Sequence, residues 1–454
     1  MKTGLALGAA LLAAGCNRAP VIPAAPAGPD SGRANFPHTF SAVTTDPEGD
    51  SLAYQFSWGS NRLSRWSGLV ASGVPDSQVA TWPRGGSFPV RVRARDARGR
   101  ESDWSPAREF RVANDGGINW SVDLGGPAAG APVQTGPNIV FPLAGGGLVC
   151  LDTAGAEQWR VTLPGEINGT PAAGAGGRLF VTCANTRVYA YGPGGVKAWE
   201  RLVGFGCFAP ALGPQGQLYA GATDGRLYSF DQDDGRILGF FQADEPVRAP
   251  CVVRADGVIL FGCDDGNLYA VNPDFSLRWR YPVGGRLRQA PALGADREVY
   301  IGADDSRLYA VSPDGQLLWS CQADGRVKGE PAVGWDGSIR FGADDNRLYR
   351  VSRAGEIIGR FETGGFVRAC PTLADNGRVY LGSYDNRLYA LDEADELLWR
   401  VEGDGAVLYS ALLEAGGNVY FMVGSTAYSV AGVGEPAGSP WPTGRQNQRR
   451  TATP

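Results

Sequence analysis

Four cationic residues recur with one fixed spacing in the second half of the chain. They follow one another at intervals of 40 residues: Arg248, Arg288, Lys328 and Arg368. The corresponding positions in other repeats are uncharged: Asn168, Phe208 and Leu408. Because repeated units place corresponding residues side by side, these cations predict a one-sided positive rim that binds an anionic ligand or an acidic partner. Glu330 lies on the same strand face as Lys328 and offsets part of this charge; the alternative interpretation is a solvated rim without a ligand.

Clustered carboxylates are the second candidate chemistry. Asp46, Glu48 and Asp50 alternate along the chain, and clustered hard oxygens suit Ca²⁺. The cluster is short and lacks a bidentate acid at a fixed distance downstream, so we interpret it as a solvated acidic turn and predict no metal there. Three repeated doublets are interpreted as hairpin turns, because Asp and Gly favour tight turns. These doublets are Asp264-Asp265, Asp304-Asp305 and Asp344-Asp345.

The chain has few of the residues on which most hydrolases depend. His38 is its one histidine, which excludes Ser-His-Asp and Cys-His arrangements from the repeat region. No two of the eight cysteines are adjacent or in CxxC spacing, and most lie in apolar segments typical of buried thiols. A formal charge of −5 and a pI near 5.2 give no general attraction to nucleic acid. We predict no catalytic residues and no nucleic-acid partner.

The N-terminus has the layout of an export signal. Lys2 supplies the charge, residues 5–14 the apolar segment and Gly15-Cys16 the processing point. The apolar stretch, about 10 residues long, is too short to span a bilayer. The string LLAAGC resembles the lipobox of bacterial lipoproteins, which implies removal of residues 1–15, lipidation of Cys16 and, from Asn17, an outer-membrane location. Residues 16–35 are rich in Pro, Ala and Gly and predict an extended tether.

Residues 36–113 predict a small β domain. Short alternating runs such as LAYQFSW (52–58) and FPVRVRARD (88–96) are separated by turn residues, which is typical of an antiparallel β-sandwich. The strings TDPEGDSLAYQFSWG (45–59) and VRARDARGRESDWS (92–105) resemble bacterial fibronectin type III and related immunoglobulin-like domains. The resemblance implies that a domain of this kind precedes the repeat region.

From residue 117 to residue 430 a unit of about 40 residues is repeated eight times. Six units carry a tryptophan near one end, with Gly239 and Gly359 in the other two places: Trp120, Trp159, Trp199, Trp279, Trp319 and Trp399. Four short apolar segments per unit predict one four-stranded sheet, and eight sheets predict an all-β, eight-bladed propeller. Trp120 precedes the first complete unit, so we expect its segment to close the last blade. Residues 431–454 are predicted to be a tail.

The repeat pattern also supports a family resemblance. Strings such as VYIGADDSRLYAVSPDGQLLW (299–319) resemble the pyrroloquinoline-quinone-like, or BamB-like, β-propeller repeat. The resemblance implies the propeller fold and two functions, because the repeat occurs in quinoprotein dehydrogenases and in outer-membrane assembly lipoproteins. The dehydrogenases hold their quinone with calcium, use an Asp base and commonly contain a disulfide between adjacent cysteines. This chain has no adjacent cysteines and no matching acidic and amide set, so we expect neither the quinone cofactor nor calcium.

These features predict a monomeric, lipid-anchored scaffold at the bacterial cell envelope that binds protein partners through its propeller. Work in outer-membrane protein assembly is one specific version of this function. One alternative is a binder of a small anionic ligand, a glycan or a quinone. A second alternative is a diverged quinoprotein dehydrogenase.

Overall fold

The computed structural model describes residues 17–33, 37–59, 62–82, 85–113 and 115–432. The predicted signal peptide, Cys16 and all but two residues of the predicted tail lie outside these ranges. The chain divides into two compact units, residues 1–114 and residues 115–454. The helices of the described residues are the 3-10 turns Ala175–Gly177 and Pro193–Gly195, and none of them is long and apolar enough to cross a bilayer.

The first unit contains, in its described residues, six strands in two sheets. The strands are β1 (Ser31–Arg33), β2 (His38–Ala42), β3 (Leu52–Ser57), β4 (Asp76–Ala80), β5 (Gly86–Asp96) and β6 (Arg108–Ala113). Four of them pair in the order β1-β6-β5-β3, with β1 parallel to β6, and β2 pairs with β4. The core is aromatic and includes Phe40, Tyr54, Phe56, Trp82 and Phe110, side chains that bury large apolar areas.

Residues 17–33 are hydrogen-bonded to the rest of the first unit, in the stretch 16–35 where the sequence predicted an extended tether. Val21 N donates to Thr45 O at 3.0 Å, and Ala27 and Ser41 exchange backbone hydrogen bonds at 2.8 and 2.9 Å. Strand β1 then pairs with β6. Local composition favoured an extended tether, but pairing with a neighbouring strand depends on tertiary contacts that composition does not encode. In its described part, the segment is therefore held by backbone hydrogen bonds.

The second unit consists, in its described residues, of eight four-stranded antiparallel sheets. The first strands are β8 (Val133–Thr135), β12 (Ala172–Ala173), β16 (Ala211–Leu212), β20 (Val252–Val253), β24 (Ala292–Leu293), β28 (Ala332–Val333), β32 (Thr372–Leu373) and β36 (Leu412–Leu413). The second strands are β9 (Asn138–Pro142), β13 (Leu179–Cys183), β17 (Gln217–Gly221), β21 (Ile259–Gly262), β25 (Val299–Gly302), β29 (Ile339–Gly342), β33 (Val379–Ser383) and β37 (Asn418–Val423).

The third and fourth strands complete each sheet. The third strands are β10 (Gly147–Leu151), β14 (Arg187–Tyr191), β18 (Arg226–Asp231), β22 (Asn267–Val271), β26 (Arg307–Val311), β30 (Arg347–Val351), β34 (Arg387–Leu391) and β38 (Thr426–Ala431). The fourth strands are β7 (Ile118–Asp123), β11 (Glu157–Thr162), β15 (Lys197–Leu202), β19 (Ile237–Gln242), β23 (Leu277–Pro282), β27 (Leu317–Gln322), β31 (Ile357–Glu362) and β35 (Leu397–Glu402). This all-β architecture of repeated four-stranded sheets is that of a β-propeller.

The eighth sheet joins the two ends of the second unit. Its strand order is β36-β37-β38-β7, so the fourth strand comes from the beginning of the unit. Trp120 of β7 lies opposite Ser429 of β38 in the antiparallel register. The prediction that the Trp120 segment pairs with the last repeat is confirmed. This pairing covers a sheet edge that would otherwise expose unpaired backbone groups.

Neighbouring sheets contact one another through a repeated tryptophan–glycine pair, and we call each such contact a seam. Trp279 Nε1 donates to Pro313 O of the next sheet at 2.8 Å. A Cβ on Gly315 would lie 2.8 Å from the Trp279 ring, and this glycine has a φ of +84°. The six tryptophan seams are Trp120/Gly155, Trp159/Gly195, Trp199/Gly235, Trp279/Gly315, Trp319/Gly355 and Trp399/Gly116. These recurring tryptophans therefore pack between neighbouring sheets.

Candidate functional site

The segments that lead into the eight first strands meet around one cavity, which we call the central cavity. Its volume is about 620 Å³. Each of the eight sheets contributes a residue just ahead of its first strand, and the eight are Ala131, Asn168, Phe208, Arg248, Arg288, Lys328, Arg368 and Leu408. The four cations singled out in the sequence therefore share one wall with the three uncharged residues at the corresponding positions.

Two carboxylates hold these cations in pairs. Asp264 accepts from Arg248 Nε at 3.0 Å, and from Arg288 through Nε at 2.8 Å and Nη2 at 3.1 Å. Asp344 accepts from Arg368 through Nε at 2.6 Å and Nη2 at 3.0 Å. Its Oδ2 also lies 3.8 Å from Lys328 Nζ. Each carboxylate thus bridges a cation of its own sheet and a cation of the next sheet.

The four cations are therefore partly neutralised by the carboxylates that they contact. The hydrogen bond to Asp264 raises the pKa of Arg288, and the bond to Asp344 raises the pKa of Arg368. Three acids line the cavity itself: Glu166, Asp304 and Glu330. A simple anion would have to compete with these resident carboxylates for the same guanidinium groups. A polypeptide that presents both charges and hydrogen-bonding groups suits the wall better.

Aromatic side chains accompany the charged ones. The guanidinium of Arg248 lies 5.4 Å from the ring centre of Phe208. That of Arg368 lies 4.9 Å from Phe366 and 5.1 Å from Tyr384. Exposed aromatic residues and arginines are the residue types enriched where proteins bind one another. Cation–π contacts of this kind also hold the arginine side chains in place.

The two aspartates of a doublet make different contacts: the second forms the turn, and the first contacts the cations. Asp265 Oδ1 accepts from Asn267 N at 2.8 Å, and its Oδ2 accepts from the Tyr269 hydroxyl at 2.6 Å. Burial and this hydrogen bond raise the pKa of Tyr269. The turn interpretation is therefore confirmed for the second aspartate. The turn interpretation overlooked the contacts of the first aspartate with the cations. The sequence did contain a signal for them, because Asp264 and Asp344 recur with the same spacing as the cations.

Burial lowers the reactivity of the cysteine thiols in the second unit. All seven cysteines after Cys16 are buried. Burial raises the pKa of Cys150 to about 11 and that of Cys207 to about 12. Because the thiolate is the reactive form, these thiols are poor nucleophiles at neutral pH. The interpretation of most cysteines as small buried hydrophobic residues is confirmed.

The acidic cluster of the first unit forms a turn directly before β3. Asp46 Oδ1 accepts from Glu48 N at 2.9 Å and from Asp50 N at 3.1 Å. Glu48 Oε2 accepts from Arg18 N at 3.3 Å, and Asp50 Oδ2 lies 3.4 Å from Arg98 Nε. Among the described residues no three His, Cys, Asp or Glu side chains are grouped so that they could hold a metal ion. The turn is therefore ordered by its own backbone and by two arginine contacts.

Comparison with known sequences identifies one family. The chain matches the family described as outer membrane protein assembly factor BamB over residues 110–204, 144–295 and 223–339, which together span just over half of its length. A protein of the same description from Burkholderia pseudomallei (strain K96243) is 25% identical over 177 residues. That alignment covers 37% of this chain and 46% of the relative, so less than half of the relative's length is matched.

Solved structures share the fold at low sequence identity. BamB from Moraxella catarrhalis superposes with a TM-score of 0.59 at 14% identity, over 68% of this chain and 98% of that one. The computationally designed Ika8 protein gives 0.58 at 15% identity, over 69% and 99%. Saccharomyces cerevisiae Sqt1 gives 0.62 at 12% identity, over 71% and 100%. At these identities the likeness shows a common fold and nothing about activity.

Proposed function

Because this chain belongs to the family of outer membrane protein assembly factor BamB, we propose that it is a non-enzymatic scaffold in outer-membrane protein assembly. In this proposal the eight sheets are the blades of an eight-bladed propeller, and the first unit is a β-sandwich of fibronectin type III or immunoglobulin-like type. The chain is monomeric and is held at the bacterial cell envelope by a lipid on Cys16.

The observation that carries the proposal is the charge-paired wall of the central cavity. Four successive sheets supply cations, and Asp264 and Asp344 hold them in fixed positions. Such a wall offers defined donors and acceptors without a rearrangement of the fold, and that preorganisation lowers the cost of binding a partner. The partner in this proposal is a protein segment that carries acidic and polar groups.

A small anionic ligand, a glycan or a quinone is the second candidate. The observation in its favour is the volume of the central cavity, about 620 Å³, which lies within the usual range of small-molecule sites. The resident carboxylates work against it, because they already occupy the guanidinium groups of Arg288 and Arg368.

The proposal is tested by reversing the charge of the wall. In Arg288→Glu/Arg368→Glu we expect capture of envelope protein partners to fall at least tenfold at low salt, since losing one member of a close charge pair weakens complexes by more than that. The difference should shrink as salt rises. A matched control, Arg280→Glu/Arg400→Glu, changes two arginines of fourth strands that do not line the cavity and should capture partners normally.

Outcomes that contradict the proposal are distinct from one another. Equal capture by the cavity variant and the control would move partner binding away from the cavity. A small ligand displaced by the cavity substitutions, with no protein captured by the wild type, would favour the second candidate. Oxidation of an alcohol or an aldose after addition of pyrroloquinoline quinone and Ca²⁺ would replace the scaffold with a dehydrogenase; we expect no turnover in that assay.

A further inference from the structure

Buried side-chain oxygens without hydrogen-bond partners gather in the first unit. Among the described residues they include Asn17 Oδ1, Asp46 Oδ2 and Asp96 Oδ2, while Asp50 Oδ2 lacks a hydrogen bond but lies in an ion pair with Arg98. Only 6% of Asp46 and 2% of Asp96 is exposed to solvent. A buried carboxylate oxygen without a donor is costly, because it has lost water and gained nothing in exchange. Several such oxygens close together therefore need an explanation.

Contacts place these oxygens at the same end of the first unit. Leu52 pairs with Asp96 in the register of β3 and β5, so Asp50 and Arg98 extend past that pair, and their side chains lie 3.4 Å apart. Asp46 accepts from the backbone of Asp50. The chain from Asn17 lies against both turns, because Asn17 contacts Asp96 and Arg18 N donates to Glu48. Three segments distant in sequence thus bring oxygen donors together.

Asp96 uses only one of its two carboxylate oxygens for hydrogen bonds to the backbone. Its Oδ1 accepts from Arg98 N at 2.9 Å and from Arg100 N at 2.8 Å, whereas Oδ2 is buried without a hydrogen-bond partner. A buried carboxylate with one oxygen left unpartnered is suited to a cation.

Turn chemistry does not account for the unpartnered oxygens. Asp152 forms the same turn in the second unit, where its Oδ1 accepts from Ala154 N and Ala156 N, both at 2.9 Å. There Oδ2 accepts from Gln158 Nε2 at 2.9 Å. Forming this turn therefore does not by itself leave a carboxylate oxygen without a partner. Asp46 and Asp96 differ from Asp152 because each is buried with one carboxylate oxygen left unpartnered, which points to a ligand at these turns.

We propose that Asn17, Asp46 and Asp96 form a Ca²⁺ site in the first unit, with Asp50 as a further ligand once Arg98 releases it. Ca²⁺ takes six to eight oxygen ligands and accepts carboxylates, amide oxygens, backbone carbonyls and water. Only two carboxylates, Asp46 and Asp96, are free to bind the ion while Asp50 is paired with Arg98. This agrees with the finding that no three acids of the described residues are grouped to hold a metal. The sequence missed it because Asn17 and Asp96 lie far along the chain from the acidic cluster.

The site is independent of the proposed function and has a consequence of its own. Asn17 follows Cys16 directly, and a bound ion would hold Asn17 to the rest of the first unit. Bound Ca²⁺ would then also protect the peptide bond after Arg18 from trypsin, because the ion holds Asn17 against Asp96.

The experiment uses the full chain after removal of metal with EDTA. Calorimetric titration with CaCl₂ should show one ion per chain, with a Kd in the range of about 10⁻⁴ to 10⁻³ M found for extracellular modules. Asp96→Asn and Asn17→Ala should each weaken binding at least tenfold. Asp152→Asn is the matched control, since it changes the same turn at an accessible place, and it should bind Ca²⁺ like the wild type.

Several results would overturn the site. The wild type is titrated with MgCl₂ in parallel, and equal binding of Mg²⁺ would contradict the assignment to Ca²⁺. Absence of heat with CaCl₂, or equal loss in Asp152→Asn, would remove the site. If Asp96→Asn does not fold, Asn17→Ala decides alone, because it deletes one amide oxygen and leaves both turns intact. Tryptic cleavage after Arg18 that is unchanged by Ca²⁺ would also count against it.

Discussion

Three kinds of seam join the sheets of the second unit, and they differ in which side chains fill the space. In six seams a tryptophan of one fourth strand packs on a glycine in the next sheet. In the other two seams the tryptophan position is Gly239 or Gly359, and the glycine position is occupied by Phe275 or Asp395. Phe275 and Asp395 both have positive φ values, +64° and +66°, so they keep the backbone conformation of the glycines they replace.

The first exception exchanges the two partners. A Cβ on Gly239 would lie 2.6 Å from the Phe275 ring, which means that the phenyl ring occupies the space beside the glycine. The aromatic group now comes from the following sheet instead of the preceding one. The seam is still filled with apolar volume, as dense interiors require.

The second exception replaces the aromatic group with an ion cluster. Asp395 Oδ1 accepts from Arg340 Nε at 2.8 Å, and its Oδ2 lies 2.9 Å from Arg350 Nε. The corresponding positions in the preceding repeat are Tyr300 and Ala310. The side chains of Arg340 and Asp395 are only 5% and 3% exposed. Four positions thus differ together, and the comparison shows that a seam can be filled either by an aromatic ring against a glycine or by a buried cluster of paired charges.

The largest effect is expected from a tryptophan seam. Trp399 is 1% exposed and donates to Asp115 Oδ1 at 2.7 Å. Trp399→Ala should lower the free energy of unfolding by about 4 to 5 kcal/mol, since it opens a large cavity and removes a donor from a buried carboxylate. Urea denaturation measures this. A loss below about 1 kcal/mol would mean that the seam collapses around the smaller residue.

The ion-cluster seam should respond to loss of its anion. Asp395→Ala leaves Arg340 and Arg350 without their shared partner and should cost about 3 kcal/mol, the lower end for a broken buried pair because Arg350 can reach solvent. The matched change restores the common pattern with Gly359→Trp, Asp395→Gly, Arg340→Tyr and Arg350→Ala together. It should be neutral or stabilising by about 1 to 4 kcal/mol, and a large loss of stability would indicate that the ion cluster is required.

The smallest effect is expected for the seam between Gly239 and Phe275, where it is measured as a coupling free energy between the two positions. Gly239→Trp alone overfills the seam and Phe275→Gly alone empties it, so both should destabilise. The double variant recreates a tryptophan seam, and the coupling free energy from the cycle should be about 1 kcal/mol in favour of the pair. Additive effects of the two changes would show that Gly239 and Phe275 do not share one space.

The sequence predicted those parts of the structure that depend on local pattern. The four short apolar segments expected in each repeat form its four strands, as in the sheet that contains β26. The cations of the central cavity followed from their period alone.

What the sequence did not predict depends on partners far along the chain. Arg340 and Asp395 are 55 residues apart, and neither residue type is a hydrophobic signal for a buried position. The bridges from Asp264 and Asp344 to the cations escaped notice because an Asp in a turn already has a sufficient local explanation. The same holds for Asp96, whose neighbour Asn17 lies in a stretch whose composition indicates only a tether.

The pairing of β7 with β38 also sets the order in which the second unit is completed. Asn119 and Asn418, whose side chains are joined by a hydrogen bond, are 299 residues apart. Contacts between residues this far apart in sequence form late, because the entropy cost of closing a long loop comes before any stabilising contact is made. During synthesis β7 emerges first and pairs with β38 last, so the edge that it will cover stays open while the intervening repeats fold. The time that β7 takes to pair with β38 therefore sets how long the nascent protein exposes an unpaired sheet edge to other chains.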